Sequence, residues 1–232
     1  MKQIVSKDWM KYGVEFLSIF IAVVSAFALN NWNENKNNRA VEHRILTEIN
    51  NGLDKDLGDL KLNETGHQQG VDAISYFKRM IAKQTVAKDS FLFHYLNLNR
   101  DFVSIQNTSG YKVLQSKGLE IIRNDSLRSK IIALYEYDYI TLRKLEEEYG
   151  ELQFQDNYFK EINEALAPNF EFDADKKLIG IILPLKIDKQ NEAIILSYFW
   201  KMNLNRNWIM KLYAEVKDHV DQAKSAIDQE IR

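Results

Sequence analysis

The sequence has no cysteine, which excludes disulfides, zinc–thiolate sites and a cysteine nucleophile. Its 232 residues include only two prolines and nine glycines. A β-sandwich needs more turn formers than that, and the scarcity favours long helices. Charge of one sign is lacking too, because 31 Lys and Arg face 33 Asp and Glu for a formal net charge of −2. A nucleic-acid binder would normally carry a basic excess, so no nucleic-acid partner is expected. The G-x-S-x-G, Walker and dinucleotide-binding signatures are missing. What is present is an ordinary globular composition, 45% hydrophobic and 28% charged, which excludes wholesale disorder. The length accommodates one domain, or one domain plus an appendage.

One long apolar run opens the chain. Residues 16–33 carry no charge, and Phe16 to Leu29 hold only apolar residues and two serines. As a helix these residues span roughly 27 Å, close to a hydrocarbon core of ~30 Å. Trp9 and Tyr12 lie on one side and Trp32 on the other, where an interfacial aromatic belt belongs. Asn30 and Asn31 suit the headgroup level, and Glu15 can snorkel to the near interface. Competing readings are the buried helix of a soluble core and a signal peptide cleaved near Ser25-Ala26-Phe27-Ala28. An interfacial helix is disfavoured because no face carries a row of charges. A retained single span over 13–33 is expected, with 1–12 as a tail and 34–232 as the folded domain.

Orientation is nearly balanced. Lys2, Lys7 and Lys11 precede the span, and Lys36, Arg39 and Arg44 follow it. The N-terminal flank is net positive against Asp8 and Glu15, whereas Glu34, Glu42 and Glu48 neutralise the downstream bases. The positive-inside rule then puts the N-terminus in the cytoplasm and residues 34–232 in the periplasm.

The motif Gly13-Val14-Glu15, followed by the apolar run and Asn30-Asn31-Trp32-Asn33-Glu34, resembles an uncharacterised family of small bacterial membrane proteins of Bacteroidota-type genomes. Gly110-Tyr111-Lys112-Val113-Leu114-Gln115-Ser116-Lys117-Gly118, with Ile121-Ile122, Asn124-Asp125, Leu127 and Tyr135-Glu136, resembles it as well. The two blocks cover about a fifth of the chain. The resemblance implies a single-span protein with a helical domain and brings no catalytic residue with it.

The remainder reads as helices. Val41, Ile45, Ile49, Leu53, Leu57 and Leu60 recur at three- and four-residue spacing and predict an amphipathic helix over 36–63, which can continue from the span as one rod. Gly66 and Gly70 interrupt the pattern, so a second helix is expected from Val71 to Ile81, then a shorter one over 91–98. Residues 99–108 read as a loop. Ser109 is expected to cap a helix ending at Lys117-Gly118, and Asn124 or Asp125 to cap one running as far as Leu166 and stopped by Pro168. Residues 169–188 are the least helical, with a short strand or buried loop expected. One long helix or two shorter ones from Ile195 to Ile227 close the chain. The predicted fold is all-α: an N-terminal transmembrane helix followed by an antiparallel helical bundle.

No catalytic, cofactor-binding or metal-ligating residue stands out. His43, His67, His94 and His219 share no i, i+4 spacing, and a solvated or partly buried role is expected for them. Tyr135 and Tyr139 share a helical face, with core packing the plain reading and an aromatic ligand pocket the sharper one. Glu146-Glu147-Glu148 reads as a solvated face. Glu15 is the exception, since a carboxylate entering a span defaults to a functional hypothesis. At about 100° per residue, Glu15, Ser18, Ala22, Ser25, Ala26 and Leu29 share an arc of roughly 100°. Positions 18, 22 and 26 make a small-xxx-small series suited to helix packing. The expected protein is a membrane-anchored, non-enzymatic partner-binding or sensing module, without a cofactor. Its partners would be the membrane and another protein or a second copy. The alternative is a subunit of an oligomeric channel, effector or motor that uses the span and Glu15.

Overall fold

The computed structural model describes residues 4–231. Lys2, in the expected tail, lies outside the described residues, as do the side chains of Lys7 and Asp8. The chain is 81% helical and 3% strand, which makes it all-α.

Helix α1 runs unbroken from Ile4 to Ile81, 78 residues. The predicted rod therefore exists, and the predicted interruption at Gly66 and Gly70 does not. Both glycines are buried inside α1, where absence of a side chain matters more than backbone freedom. A Cβ on Gly66 would lie 2.2 Å from the Phe102 ring, and one on Gly70 would lie 2.4 Å from the Arg206 guanidinium. These positions admit neighbours instead of ending the helix. Helix α1 stops at a Schellman motif in which Gln84 N–H donates to Arg79 O at 2.9 Å and Lys83 N–H to Met80 O at 3.0 Å. Lys83 supplies the left-handed residue, with φ 57.

Every residue of α1 from Lys11 through Asn37 is exposed, and Glu42 is the first buried residue beyond them. From there α1 packs against α2 (Phe91–Leu98), α3 (Ser109–Lys117) and the long final helix α7 (Lys189–Glu230). Contacts between Asn50 and Asp228, Asp54 and Lys224, and His67 and Arg206 run in opposite senses along the two chains, so α1 and α7 are antiparallel. The C-terminus of α7 thus returns toward the span. Ile45, Ile49, Leu53, Leu60, Ile74 and Phe77 of α1 meet Ile195, Phe199, Met202, Ile209, Val216 and Val220 of α7 in one continuous core.

The expected single helix over 125–166 is divided in three. Helix α4 (Asp125–Ala133) passes through a π-helical turn (Leu134–Asp138) into α5 (Tyr139–Glu148), and a break precedes α6 (Phe154–Leu166). The π turn keeps both Tyr135 and Tyr139 buried while Tyr137 stays exposed. Asn124 caps α4 by accepting from Leu127 N–H at 3.1 Å. Ser109 is not a cap. It is the first helical residue of α3, and its hydroxyl donates to Asn107 Oδ1 at 2.9 Å. Gly118 ends α3 with φ 96 and ψ 132, positive but outside the left-handed helical well that the sequence implied. The least helical stretch is an antiparallel hairpin, β1 (Phe170–Phe172) with β2 (Leu178–Ile181). Phe170 packs on Phe91 and Tyr95 of α2, with ring centroids at 5.7 and 5.2 Å, fastening the hairpin to the end of the bundle farthest from the span.

Candidate functional site

The span residues occupy one uninterrupted helix. Glu15, Ser18, Ala22, Ser25, Ala26 and Leu29 are all exposed, so nothing described in the chain covers the proposed packing face. Phe16 stacks on Phe20 with ring centroids 6.3 Å apart. Ser18 Oγ donates to Val14 O at 2.8 Å, which occupies its proton within the helix and leaves an acceptor for a neighbour. Trp9, Tyr12 and Trp32 are 81%, 66% and 65% exposed. Tyr12 and Trp32 are separated by roughly 30 Å of helix, the thickness of a hydrocarbon core.

The most ordered chemistry lies elsewhere, around residues 99–108. This segment has no helix or strand of its own, so its backbone groups need other partners. Side chains supply them. Asp56 Oδ1 accepts from Asn107 N–H at 2.7 Å and its Oδ2 from the Tyr139 hydroxyl at 2.8 Å. Asp59 Oδ2 accepts from Ile105 N–H at 2.7 Å. Glu146 Oε2 accepts from Ser104 N–H at 3.0 Å and Ser104 Oγ at 2.7 Å, and its other oxygen accepts from the Tyr213 hydroxyl. Asp101, within the 99–108 strap, caps α6 by accepting from Phe154 N–H at 2.6 Å.

Arg206 fastens the opposite edge of the strap. Its Nη2 donates to Leu98 O at 2.9 Å and Arg100 O at 3.1 Å, and its Nη1 lies 3.1 Å from His67 Nδ1. The guanidinium also sits 3.9 Å from the Phe154 ring centroid, a cation–π contact. Burial lowers the Arg206 pKa to about 9, against the opposing pull of Asp101. His67 is depressed to about 3, first by burial and then by the neighbouring guanidinium. It is therefore a neutral imidazole whose Nδ1 accepts from Arg206. Burial raises Asp56, Asp101 and Glu146 above the usual carboxylate range, while the hydrogen bonds they accept pull the other way.

Sequence reasoning placed Glu146 on a solvated face, and the structure corrects this: Glu146 is 4% exposed. A signal was available. Glu146 follows Tyr139 and Leu142 at seven- and four-residue spacing on the buried stripe of α5. Asp56 falls likewise between Leu53 and Leu60, His67 between Leu60 and Ile74, and Arg206 between Met202 and Ile209. A polar residue at an apolar-stripe position marks a buried partner, not surface. The network holds a strap in place and offers no exposed nucleophile or acid–base pair. Two Ser-x-x-Lys spacings, Ser75–Lys78 and Ser109–Lys112, also occur, with both serines facing solvent. Among the described residues no group of three or more His, Asp or Glu is arranged to hold a metal ion.

Between span and bundle, α1 forms a neck. Trp32, Asn35, Lys36 and Arg39 of the neck and Arg123 of the α3–α4 connection line an open cleft of about 360 Å³. Arg123 Nη2 donates to Asn35 O at 3.3 Å and Asn35 Oδ1 at 3.1 Å, and Arg123 N–H donates to Glu42 Oε1 at 2.8 Å.

An apolar helix long enough to cross a membrane, joined to an all-α bundle, defines the class. The chain belongs to the family of unknown function DUF6090, whose pattern matches residues 15–167. The matched stretch takes in residues 15–33 of the apolar helix, the 99–108 segment with Asp56, Asp59 and Glu146, and α6. No curated protein matches the chain, and no solved structure does.

Proposed function

We propose that this is a single-span bacterial inner-membrane protein. Its N-terminus faces the cytoplasm, and its helical domain acts in the periplasm as a non-enzymatic partner-binding or sensing module. The observation that carries the reading is the division of labour along α1. Residues 16–33 of it are uncharged and all exposed, while the part beyond Glu42 is built into the core of the bundle. An apolar helix left uncovered by its own bundle would otherwise be an aggregation hazard in water. Continuity of the helix makes the anchor and the domain one rigid lever, so a partner held by the bundle is also held at a defined height above the bilayer.

The channel, effector or motor reading draws on a different observation, the small-residue face with Glu15 at its end, uncovered by any described part of the chain. A mass measurement of the detergent-solubilised chain separates the two readings. A monomer that co-purifies with a membrane or periplasmic protein supports the anchored module. A homo-oligomer that conducts ions in planar bilayers, and stops doing so as Glu15→Gln, replaces it. Release of the chain from membranes by alkaline carbonate would refute the anchor.

A further inference from the structure

We infer that the neck cleft is a binding site for the phosphate of an anionic phospholipid headgroup, an inference that rests on residues 13–33 being a membrane span. The headgroup layer is roughly 5–7 Å thick on each side of the hydrocarbon core. Lys36 and Arg39 follow Asn33 by about 5 and 9 Å of helix, within that layer and just beyond it, where long side chains reach back to the phosphates. Lys36 Nζ stands 5.8 Å from the Trp32 ring centroid, so the cation is held beside the residue that marks the interface. Both cations are exposed.

Arg123 is the informative member. It comes from the α3–α4 connection, far away in sequence, yet its side chain reaches down to Asn35, two residues past the end of the span. Its backbone is pinned to the buried Glu42. The bundle therefore lowers a guanidinium to the level of the lipid headgroups and completes a three-cation cleft with Lys36 and Arg39. The guanidinium fork matches a phosphodiester's paired oxygens, and the ammonium adds a point charge. The nearby carboxylates are engaged: Glu42 by the Arg123 backbone, and Glu230 by Asn124 Nδ2 at 2.8 Å. A lipid held here touches both α1 and the bundle, which would fix the tilt of the domain over the membrane. A zwitterionic headgroup carries its own ammonium beside the phosphate, so the cleft favours phosphatidylglycerol over phosphatidylcholine.

The test uses the full chain in nanodiscs of equal phosphatidylcholine and phosphatidylglycerol, released into mild detergent and weighed by native mass spectrometry. Retained phosphatidylglycerol should exceed phosphatidylcholine. That enrichment should fall about fivefold in each of Lys36→Gln and Arg39→Gln, with helical circular dichroism unchanged, while Lys211→Gln on α7 leaves it intact. Equal retention of the two lipids, or enrichment indifferent to Lys36→Gln and Arg39→Gln, overturns the inference. Displacement of the lipid by millimolar inorganic phosphate identifies a free-anion site and overturns it as well. Failure of the chain to enter the bilayer removes the anchor and this inference together, whereas insertion without enrichment removes this inference alone.

Discussion

Protonation of His67 should weaken the bundle in acid. In the folded chain its Nδ1 accepts from Arg206 at 3.1 Å, so a proton added there destroys a hydrogen bond and sets two cations against each other. The folded-state pKa is about 3, against 6.5 for an ordinary histidine. The unfolded chain therefore binds more protons between pH 6.5 and 3, and stability falls as the pH falls through that window. By pH 4 the loss from this one group is about 3 kcal/mol, a large share of the ~5–15 kcal/mol that holds a domain together. Asp56, Asp101 and Glu146 act in the opposite sense, since their raised pKa values mean that the folded state takes up protons first. Wild type alone is therefore a poor readout, and comparison with His67→Asn is the clean one. The asparagine amide oxygen can occupy the Nδ1 position, keeping a partner for Arg206 without a titrating ring. Loss of ring contacts with Phe102, Phe154 and Tyr213 should lower stability at pH 7.5 by about 2 kcal/mol. Between pH 7 and pH 4, however, the urea midpoint should fall much less for the variant than for wild type. Parallel pH profiles of the two proteins, followed by circular dichroism, would refute the assignment of His67 as a buried neutral base.

Three further expectations concern the backbone and the span. Gly118→Val should cost about 1–2 kcal/mol, because φ 96 is hostile to a β-branched residue; an unchanged melting temperature would show that the connection relaxes. Lys83→Gly should do the reverse, stabilising by about 1 kcal/mol because a left-handed residue with φ 57 closes α1, and a lowered melting temperature would contradict that account of the helix end. In the span, Ala22→Leu should block self-association or partner capture and leave insertion intact, while Ala28→Leu, off the small-residue face, should be silent. Equal crosslinking of the two variants would leave a plain tether.

Periodicity made most of the fold legible. The apolar run, the three- and four-residue spacing over 36–63 and 195–227, and the cap at Asn124 translate directly into α1, α7 and α4. What periodicity concealed was tertiary in origin. Gly66 and Gly70 look like helix breakers in isolation, and only the approach of Phe102 and Arg206 explains them. Nothing local in residues 99–108 announces a fixed conformation, because its order comes from acids on α1 and α5 and from an arginine on α7. Asp56, Glu146 and Arg206 were readable after all, as polar residues on apolar stripes. Glu146 was misassigned by weighing its charged neighbours above its register with Tyr139 and Leu142.

The central claim, that residues 13–33 cross a membrane and carry the bundle on one side of it, can be tested cleanly because the chain has no cysteine of its own. Single cysteines at Lys11, Ser25 and Asp175 would be probed with a membrane-impermeant maleimide in intact spheroplasts and after permeabilisation. Asp175→Cys, in the exposed hairpin turn, should label in intact spheroplasts. Lys11→Cys should label only after permeabilisation, and Ser25→Cys should resist in both until the membrane is dissolved. Labelling of Lys11→Cys and Asp175→Cys from the same side, or ready labelling of Ser25→Cys in intact membranes, would contradict the account.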